Sequence, residues 1–312
     1  MITDGAADLQ RWRAPPVMRL LSTGTLLAGN HQNKVWRGMA QVPNSLEPGL
    51  PMIIKWVPKN ETLAAELACA LAGRALKLQI PPGFLVLAEK ADLPGLPSRV
   101  VGEPSHLVLC YGSELQWPDD TLMRPNTSDA IEEWIWQRLC NTPQGAVGGV
   151  WDELVVNDDR HHENVVWDGQ RWWLIDHEYS LPSVSKAMKK FSDQILRQGV
   201  IDESARENTL VSETLRRRPN DHKMDALPAS WQSQRQRLNW VADQARKWKT
   251  GLPPVDTVLM MTEFYLRGIE LRLPALALHL HKRMAQPIST SLWNLNTPKQ
   301  PSGRKTTRRP RA

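Results

Sequence analysis

The segment from Asn157 to Glu178 reads N-D-D-R-H-H-E-N-V-V-W-D-G-Q-R-W-W-L-I-D-H-E, and it constrains the fold more than any other part of the chain. Val165 to Trp167 and Arg171 to Ile175 are short apolar runs on either side of Asp168-Gly169, a turn signal that folds such runs into a hairpin. Asn164 ends the polar loop where the first run begins, and Asp176 follows the second. The hairpin would therefore set Asn164 and Asp176 side by side, with Asp159 five residues ahead of Asn164. An Asp, an Asn and a second Asp in that order supply what phosphoryl transfer from ATP requires. One group faces the incoming hydroxyl, and two oxygen donors hold Mg²⁺. Asp158 is an immediate rival to Asp159, but only Asp159 has the five-residue spacing to Asn164.

The chain changes character on either side of this segment. Lys34 to Val42 and Pro51 to Val57 read as strands separated by the turn-rich Pro43 to Gly49. Asn60 is the expected cap of a helix over Glu61 to Leu78, ended by Pro81-Pro82-Gly83. Phe84 to Ala88 and His106 to Cys110 read as further strands, the latter closing at Tyr111-Gly112-Ser113. A small antiparallel sheet with one helix is the economical arrangement. Beyond Pro118 the pattern is helical. Ser128 to Leu139 is one helix, Gly145 to Gly149 is expected as a loop, and Val150 to Val156 as a short helix. From Ser183 to Ala285 helical patterns alternate with expected breaks at Pro219, Pro228, Pro253-Pro254 and Pro274. The expected layout is residues 1–115 as a strand-rich N-terminal lobe, 116–297 as a helical C-terminal lobe, and 298–312 as a tail.

That tail determines the charge. Lys299, Arg304, Lys305, Arg308, Arg309 and Arg311 account for the whole formal net charge of +6, so the rest is neutral. The pI near 9.3 therefore describes the tail and not a basic globular face. The tail, nearly devoid of apolar residues, is expected to be disordered, with at most weak, salt-sensitive contact to nucleic acid or an acidic partner. Cys69, Cys110 and Cys140 are odd in number and far apart, which suggests neither a disulfide framework nor a zinc site. No run approaches the roughly 20 apolar residues of a membrane span and no signal-type segment opens the chain, so a reducing cytoplasm is the expected setting.

D-R-H-H-E-N followed by L-I-D-H-E resembles the divergent branches of the protein-kinase-like superfamily. The D-R-H-x-x-N form is similar to the phosphatidylinositol 3- and 4-kinases; the short chain and its N-terminal features resemble the bacterial HipA-like kinases. The resemblance covers about residues 20–182. It implies an α+β, bilobal kinase-like fold and transfer of the ATP γ-phosphate, with Mg²⁺, to a Ser or Thr hydroxyl of a protein. A toxin or stress-regulatory role would accompany it. The implied roles fall on Asp159 as the catalytic residue and on Asn164 and Asp176 as metal ligands. Lys55, a lone charge in the apolar strand M-I-I-K-W-V, would contact the ATP phosphates and pair with a helix glutamate. Glu66 is the expected partner because it shares the apolar face of its helix, although Arg74 or Lys77 could pair with it on a solvated face. His161 aligns with a structural loop histidine, and His162 is read as exposed. Cys110 to Ser113 are read as the connector that faces adenine.

The pattern also departs from that resemblance. No G-x-G-x-x-G is present; Gly24 to Asn30, with Gly24 and Gly29, is the best candidate for a phosphate loop. Ser22, Thr23 and Thr25 beside it would be candidates for autophosphorylation. Asp176-His177-Glu178 stands where Asp-Phe-Gly would be, and no A-P-E follows. Two other classes stay open: a pseudokinase that binds a partner without catalysis, and a metal-dependent phosphodiesterase or nuclease. The second lacks a regular histidine spacing and leaves Lys55 and Glu66 without a purpose. A lipid or small-molecule acceptor also stays open, since no motif in the helical part selects one.

Overall fold

The computed structural model describes residues 14–28, 33–97, 100, 106–117, 129–190, 199–219 and 223–285. The basic tail, Gly29, Ser128 and the N-terminal thirteen residues lie outside them. The chain is a mixed α+β structure: strands come first, then helices, with a two-stranded hairpin set among the helices.

The N-terminal strands close on themselves. β3 (Lys34–Gln41) and β4 (Leu50–Trp56) pair antiparallel from Lys34↔Trp56 to Ala40↔Leu50. β5 (Gly83–Glu89) pairs antiparallel with β6 (Leu107–Glu114), and β6 with β4. The small antiparallel sheet expected from sequence is corrected by β1 (Val17–Leu20). It runs parallel to β5, Val17 opposite Leu85, and antiparallel to β3, Arg19 opposite Gln41. The order β1-β5-β6-β4-β3 thus becomes a five-stranded barrel, with the short β2 (Thr25–Leu26) attached outside β3. Closure removes both long edges, and inward side chains fill the interior: Met18, Leu20, Trp36, Met52, Ile54, Val86 and Cys110. The interior is tight enough that a Cβ on Gly112 would lie 2.5 Å from Val86 Cγ2.

Helix α1 (Asn60–Ala75) lies between the barrel and the helices that follow. Asn60 makes no side-chain cap; it begins the helix after Lys59. The helix also stops before its expected end. Lys77 turns left-handed (φ 60°) and the Leu78 N–H returns to Gly73 O at 2.8 Å, closing the last turn ahead of the prolines. Leu63, Leu67 and Leu71 of α1 share one apolar core with Leu154, Val258 and Leu266, so that core continues across residue 115.

After α2 (Asp129–Cys140), residues 143–155 form one continuous helix, α3 (Pro143–Val155), where a loop over Gly145 to Gly149 was expected. Pro143 suits the first turn. The glycines serve packing: a Cβ on Gly145 would meet Cys140 Cα at 2.6 Å, and one on Gly148 would meet Leu210 Cδ1 at 2.7 Å. They let α2 and α5 (Thr209–Arg217) approach, which offsets the roughly 1 kcal/mol that each helical glycine costs. Chain order continues through β7 (Val165–Trp167), β8 (Trp172–Leu174) and α4 (Pro182–Lys190), ahead of α5. Pro228 is no break either, since α6 (Lys223–Gln232) runs through it. Then come α7 (Arg235–Ala245), α8 (Pro253–Arg272) and α9 (Leu276–Met284). At the end of α8 the buried Arg272 donates to the carbonyls of Glu153, Leu154, Val200 and Glu203, which anchors α8 to the last turn of α3. That turn leads directly into the polar loop. Among the described residues no helix is long and apolar enough to cross a membrane.

Candidate active site

The hairpin forms as its turn predicts, with Val165 opposite Leu174. Ile175 N–H donates to Asn164 O at 3.2 Å, so Asn164 and Asp176 are neighbours across the end of the ladder. Asp176 has φ 58°, and the site is flanked by two more left-handed residues, Val156 (φ 52°) and Leu181 (φ 52°). Such conformations cost free energy in non-glycine residues, a β-branched valine above all, and they cluster where geometry serves function.

Lys55 joins the barrel to this hairpin. Its ammonium lies 3.2 Å from Glu66 Oε1, 2.8 Å from Asp176 Oδ1 and 2.7 Å from Glu178 Oε2. Strand β4, helix α1 and the end of the hairpin thus meet at one charge. Glu66 faces Lys55, not Arg74 or Lys77, and its second oxygen accepts the His177 N–H at 2.9 Å. Asn33 Nδ2 donates to Glu178 Oε2 at 2.9 Å. Side-chain exposure is 3 % for Glu66 and 5 % for Glu178 but 32 % for Asp176, so Asp176 is the carboxylate turned toward an incoming ligand.

Burial and charge act against each other here. Burial disfavours the Lys55 cation, yet Glu66, Asp176 and Glu178 together hold its pKa well above the ordinary lysine range. Burial pushes the Glu66 carboxyl up to about 7, against the pull of Lys55. A carboxyl raised in the folded state binds a proton that the unfolded chain releases, so its contribution is present below the unfolded value and lost as pH rises through the folded one. Stability should therefore fall as pH rises from 5 to 8 through the raised value of this carboxyl. Urea unfolding across that range should show a shallower slope for Glu66→Gln; an unchanged slope would assign the pH dependence elsewhere.

His177 is held neutral. Burial and the nearby Arg160 and Lys55 cations drive its pKa well below the usual value. Its Nε2 faces two donors, Trp151 Nε1 at 3.0 Å and Arg160 Nη2 at 3.1 Å, so Nε2 is the acceptor and the ring proton lies on Nδ1.

In the polar loop Asp159 is exposed, and its N–H donates to Asn157 Oδ1 at 3.2 Å. Asn164 is buried, and its Nδ2 donates to Asp159 O at 2.8 Å, which leaves Oδ1 as the oxygen it can offer a cation. Asp158 is engaged elsewhere, accepting the Arg206 N–H at 2.7 Å. The loop histidines reverse their expected order of exposure. His162 is 14 % exposed with Nδ1 3.6 Å from Glu132, whereas His161 is 43 % exposed beside Glu163.

Other expected positions lie differently. The Gly24 N–H is taken by Asp92 O at 2.8 Å, and a Cβ there would meet Trp36 Cβ at 3.1 Å, so Gly24 is bound into the barrel wall. Thr23 Oγ1 donates to Asp92 Oδ1 at 3.1 Å. Cys110 to Ser113 are ladder positions of β6, paired with β5 on one side and, from Tyr111, with β4 on the other, which occupies the backbone groups expected to face adenine. The thiols of Cys69, Cys110 and Cys140 are buried, and burial raises their pKa values, which makes them poor nucleophiles.

The donor set suits a hard divalent cation. Glu66, Asp176 and Glu178 each present an oxygen within 4.8 Å of the others, and the Lys55 ammonium shows that the cluster accepts positive charge. Glu178 had no role in the phosphotransfer reading of the sequence, only a place among the possible ligands of the metal-dependent hydrolase; Asn33 was missed, as were Asp152, Asn157 and Arg160 beneath the loop. Asp152 carried the same signal as Lys55, a charge inside an apolar run (V-W-D-E-L-V-V).

No protein-family profile matches the chain, and no curated protein matches its sequence. Among solved structures it is similar to the Helicobacter pylori proinflammatory kinase CtkA, with 11 % identity, 84 % of this chain and 96 % of that one covered, and a TM-score of 0.45. It is also similar to the MAP kinase LmaMPK10 of Leishmania major, with 13 % identity, 88 % and 87 % covered, and a TM-score of 0.26.

Proposed function

We propose that this chain is an ATP-dependent phosphotransferase of the HipA-like type, bilobal in organisation, that moves the γ-phosphate of ATP to a Ser or Thr hydroxyl of a protein. The observation that carries the reading is the convergence on Lys55 of Glu66 and Asp176, the latter 121 positions away in sequence. A lone structural lysine needs one partner; one held among three carboxylates at the mouth of a polar loop is poised to exchange them for phosphate oxygens.

In this reading Lys55 binds the ATP phosphates and Glu66 orients it. Asp159 receives the acceptor hydroxyl's proton as the oxygen attacks the γ-phosphorus and the bond to the leaving ADP oxygen breaks. Asn164 Oδ1 and Asp176 would hold Mg²⁺, with Glu178 beside Asp176 to join them, and a cation held there would offset the charge of the phosphates. The protein-acceptor class, and a toxin or stress-regulatory role with it, rest on the D-R-H-H-E-N resemblance.

The test is incubation of the purified chain with γ-labelled ATP, Mg²⁺ and cell extract. Label should pass to a protein acceptor and the transfer should stop when EDTA removes the cation. Nucleotide binding without transfer would support the pseudokinase reading, to which the engaged Gly24 amide lends weight. Cleavage of nucleic acid without ATP would sink the phosphotransfer reading.

A further inference from the structure

One ion pair underlies all three positions given to chemistry. Asp152 of α3 receives Arg160 Nε at 3.0 Å and Nη2 at 2.9 Å, and both side chains are fully covered. Asp152 Oδ1 also accepts from Asn157 Nδ2 at 3.0 Å, and Asn157 in turn holds the Asp159 N–H. On its other side Arg160 Nη1 donates to the carbonyls of Asn164 and Ile175, each at 2.6 Å. Asp159, Asn164 and Asp176 are thus each held at their own backbone, or at the adjoining residue, by a group tied to this pair. Asn164 Nδ2 also holds Asp159 O, and Glu66 holds the His177 N–H, but neither of these side chains reaches all three positions as the pair does.

Stability does not account for the arrangement. A buried ion pair must overcome the desolvation of both charges, and apolar replacements of similar volume are often neutral or stabilising. What the pair supplies is geometry: a planar fork that grips both carboxylate oxygens and two carbonyls at once, four bonds where an ammonium has three donors.

We infer that Asp152 and Arg160 are the positioning residues of the site. They set the separation of Asp159 from Asn164 and Asp176, and so govern turnover and divalent-cation affinity without touching substrate. This rests on the phosphotransfer reading above.

Arg160→Lys is the first test, since it keeps a cation against Asp152 and loses the fork. Turnover should fall by about 10–100-fold and the half-saturating Mg²⁺ concentration should rise by a similar factor, with KM for ATP little changed. Mn²⁺ binding in the presence of ADP, titrated by electron paramagnetic resonance, should weaken in parallel and requires no turnover. Asp152→Asn, which keeps the shape and loses the charge, should show the same two losses per folded molecule; it leaves Arg160 a buried cation without its carboxylate and should melt well below the wild type, whereas Arg160→Lys, which keeps the charge pair, should melt nearer to it. Wild-type turnover and Mn²⁺ affinity in Arg160→Lys would overturn the inference. So would variants whose only defect is loss of folded protein. A wild type that transfers no phosphate would count against the phosphotransfer reading, and the Mn²⁺ titration would still decide the role of the pair.

Discussion

Asp159→Asn should lose about 10²–10⁴-fold in phosphate transfer while binding divalent cation and nucleotide as the wild type does. Asp176→Asn should lose at least as much and bind Mn²⁺ measurably worse. The separation follows from placement. Asp159 is exposed at the loop, so removing its charge should change stability by no more than about 0.5 kcal/mol. Asp176 belongs to the carboxylate group around Lys55, one of the oxygens that lie within 4.8 Å of each other. Asparagine is the informative replacement at 176 because the residue has φ 58°, a conformation that asparagine tolerates well. A fall in activity can then be read as loss of a ligand oxygen's charge and not as backbone relief. Steady-state transfer and Mn²⁺ titration on the two variants decide the matter. Two variants alike in both assays would mean that the two aspartates do not divide the work, and the roles given to them would fail.

The parts of this site legible in the sequence are those written in local pattern. The Asp168-Gly169 turn between two apolar runs set the hairpin, and the hairpin set Asn164 beside Asp176. Lys55 and Glu66 were legible because each is a charge on an otherwise apolar face, a placement costly without a partner. The barrel was not legible. Its closing strand, Val17–Leu20, has four residues and pairs with a strand more than sixty residues away, in a parallel register that no turn announces. Gly145, Gly148 and Gly149 misled in the opposite direction. Local propensity reads them as a loop, but contacts with Cys140, Leu210 and Val211 make them a place where helices approach closely. Glu178 was given no part in phosphotransfer because its place there depends on Lys55 arriving from another element, which residues near Glu178 do not encode.

Lys55→Met should abolish transfer and unsettle the fold together, and pH separates the two effects. Removing the ammonium leaves Glu66, Asp176 and Glu178 facing one another with no cation between them. Breaking a buried pair on one side costs about 3–5 kcal/mol, so the variant should be markedly less stable near pH 8. The deficit should shrink toward pH 5. Burial already raises Glu66 and Lys55 opposes it, so without Lys55 the carboxyl rises further above its unfolded value. Its protonated form then stabilises the fold at low pH, and that contribution is lost as pH rises through the raised value. Mg²⁺ or Mn²⁺ should restore more stability to the variant than to the wild type, because a divalent cation gains three carboxylates freed of their lysine. Transfer should still fall by about 10²–10³-fold with the fold so rescued, since a cation among the carboxylates does not replace a donor aimed at phosphate. Chemical unfolding at several pH values with and without Mg²⁺, run beside the labelled-ATP assay, reads both effects. A stabilised variant that transfers phosphate normally would reduce Lys55 to a structural tie between barrel and hairpin. A variant as stable as the wild type at pH 8 would mean that the three carboxylates do not depend on it at all.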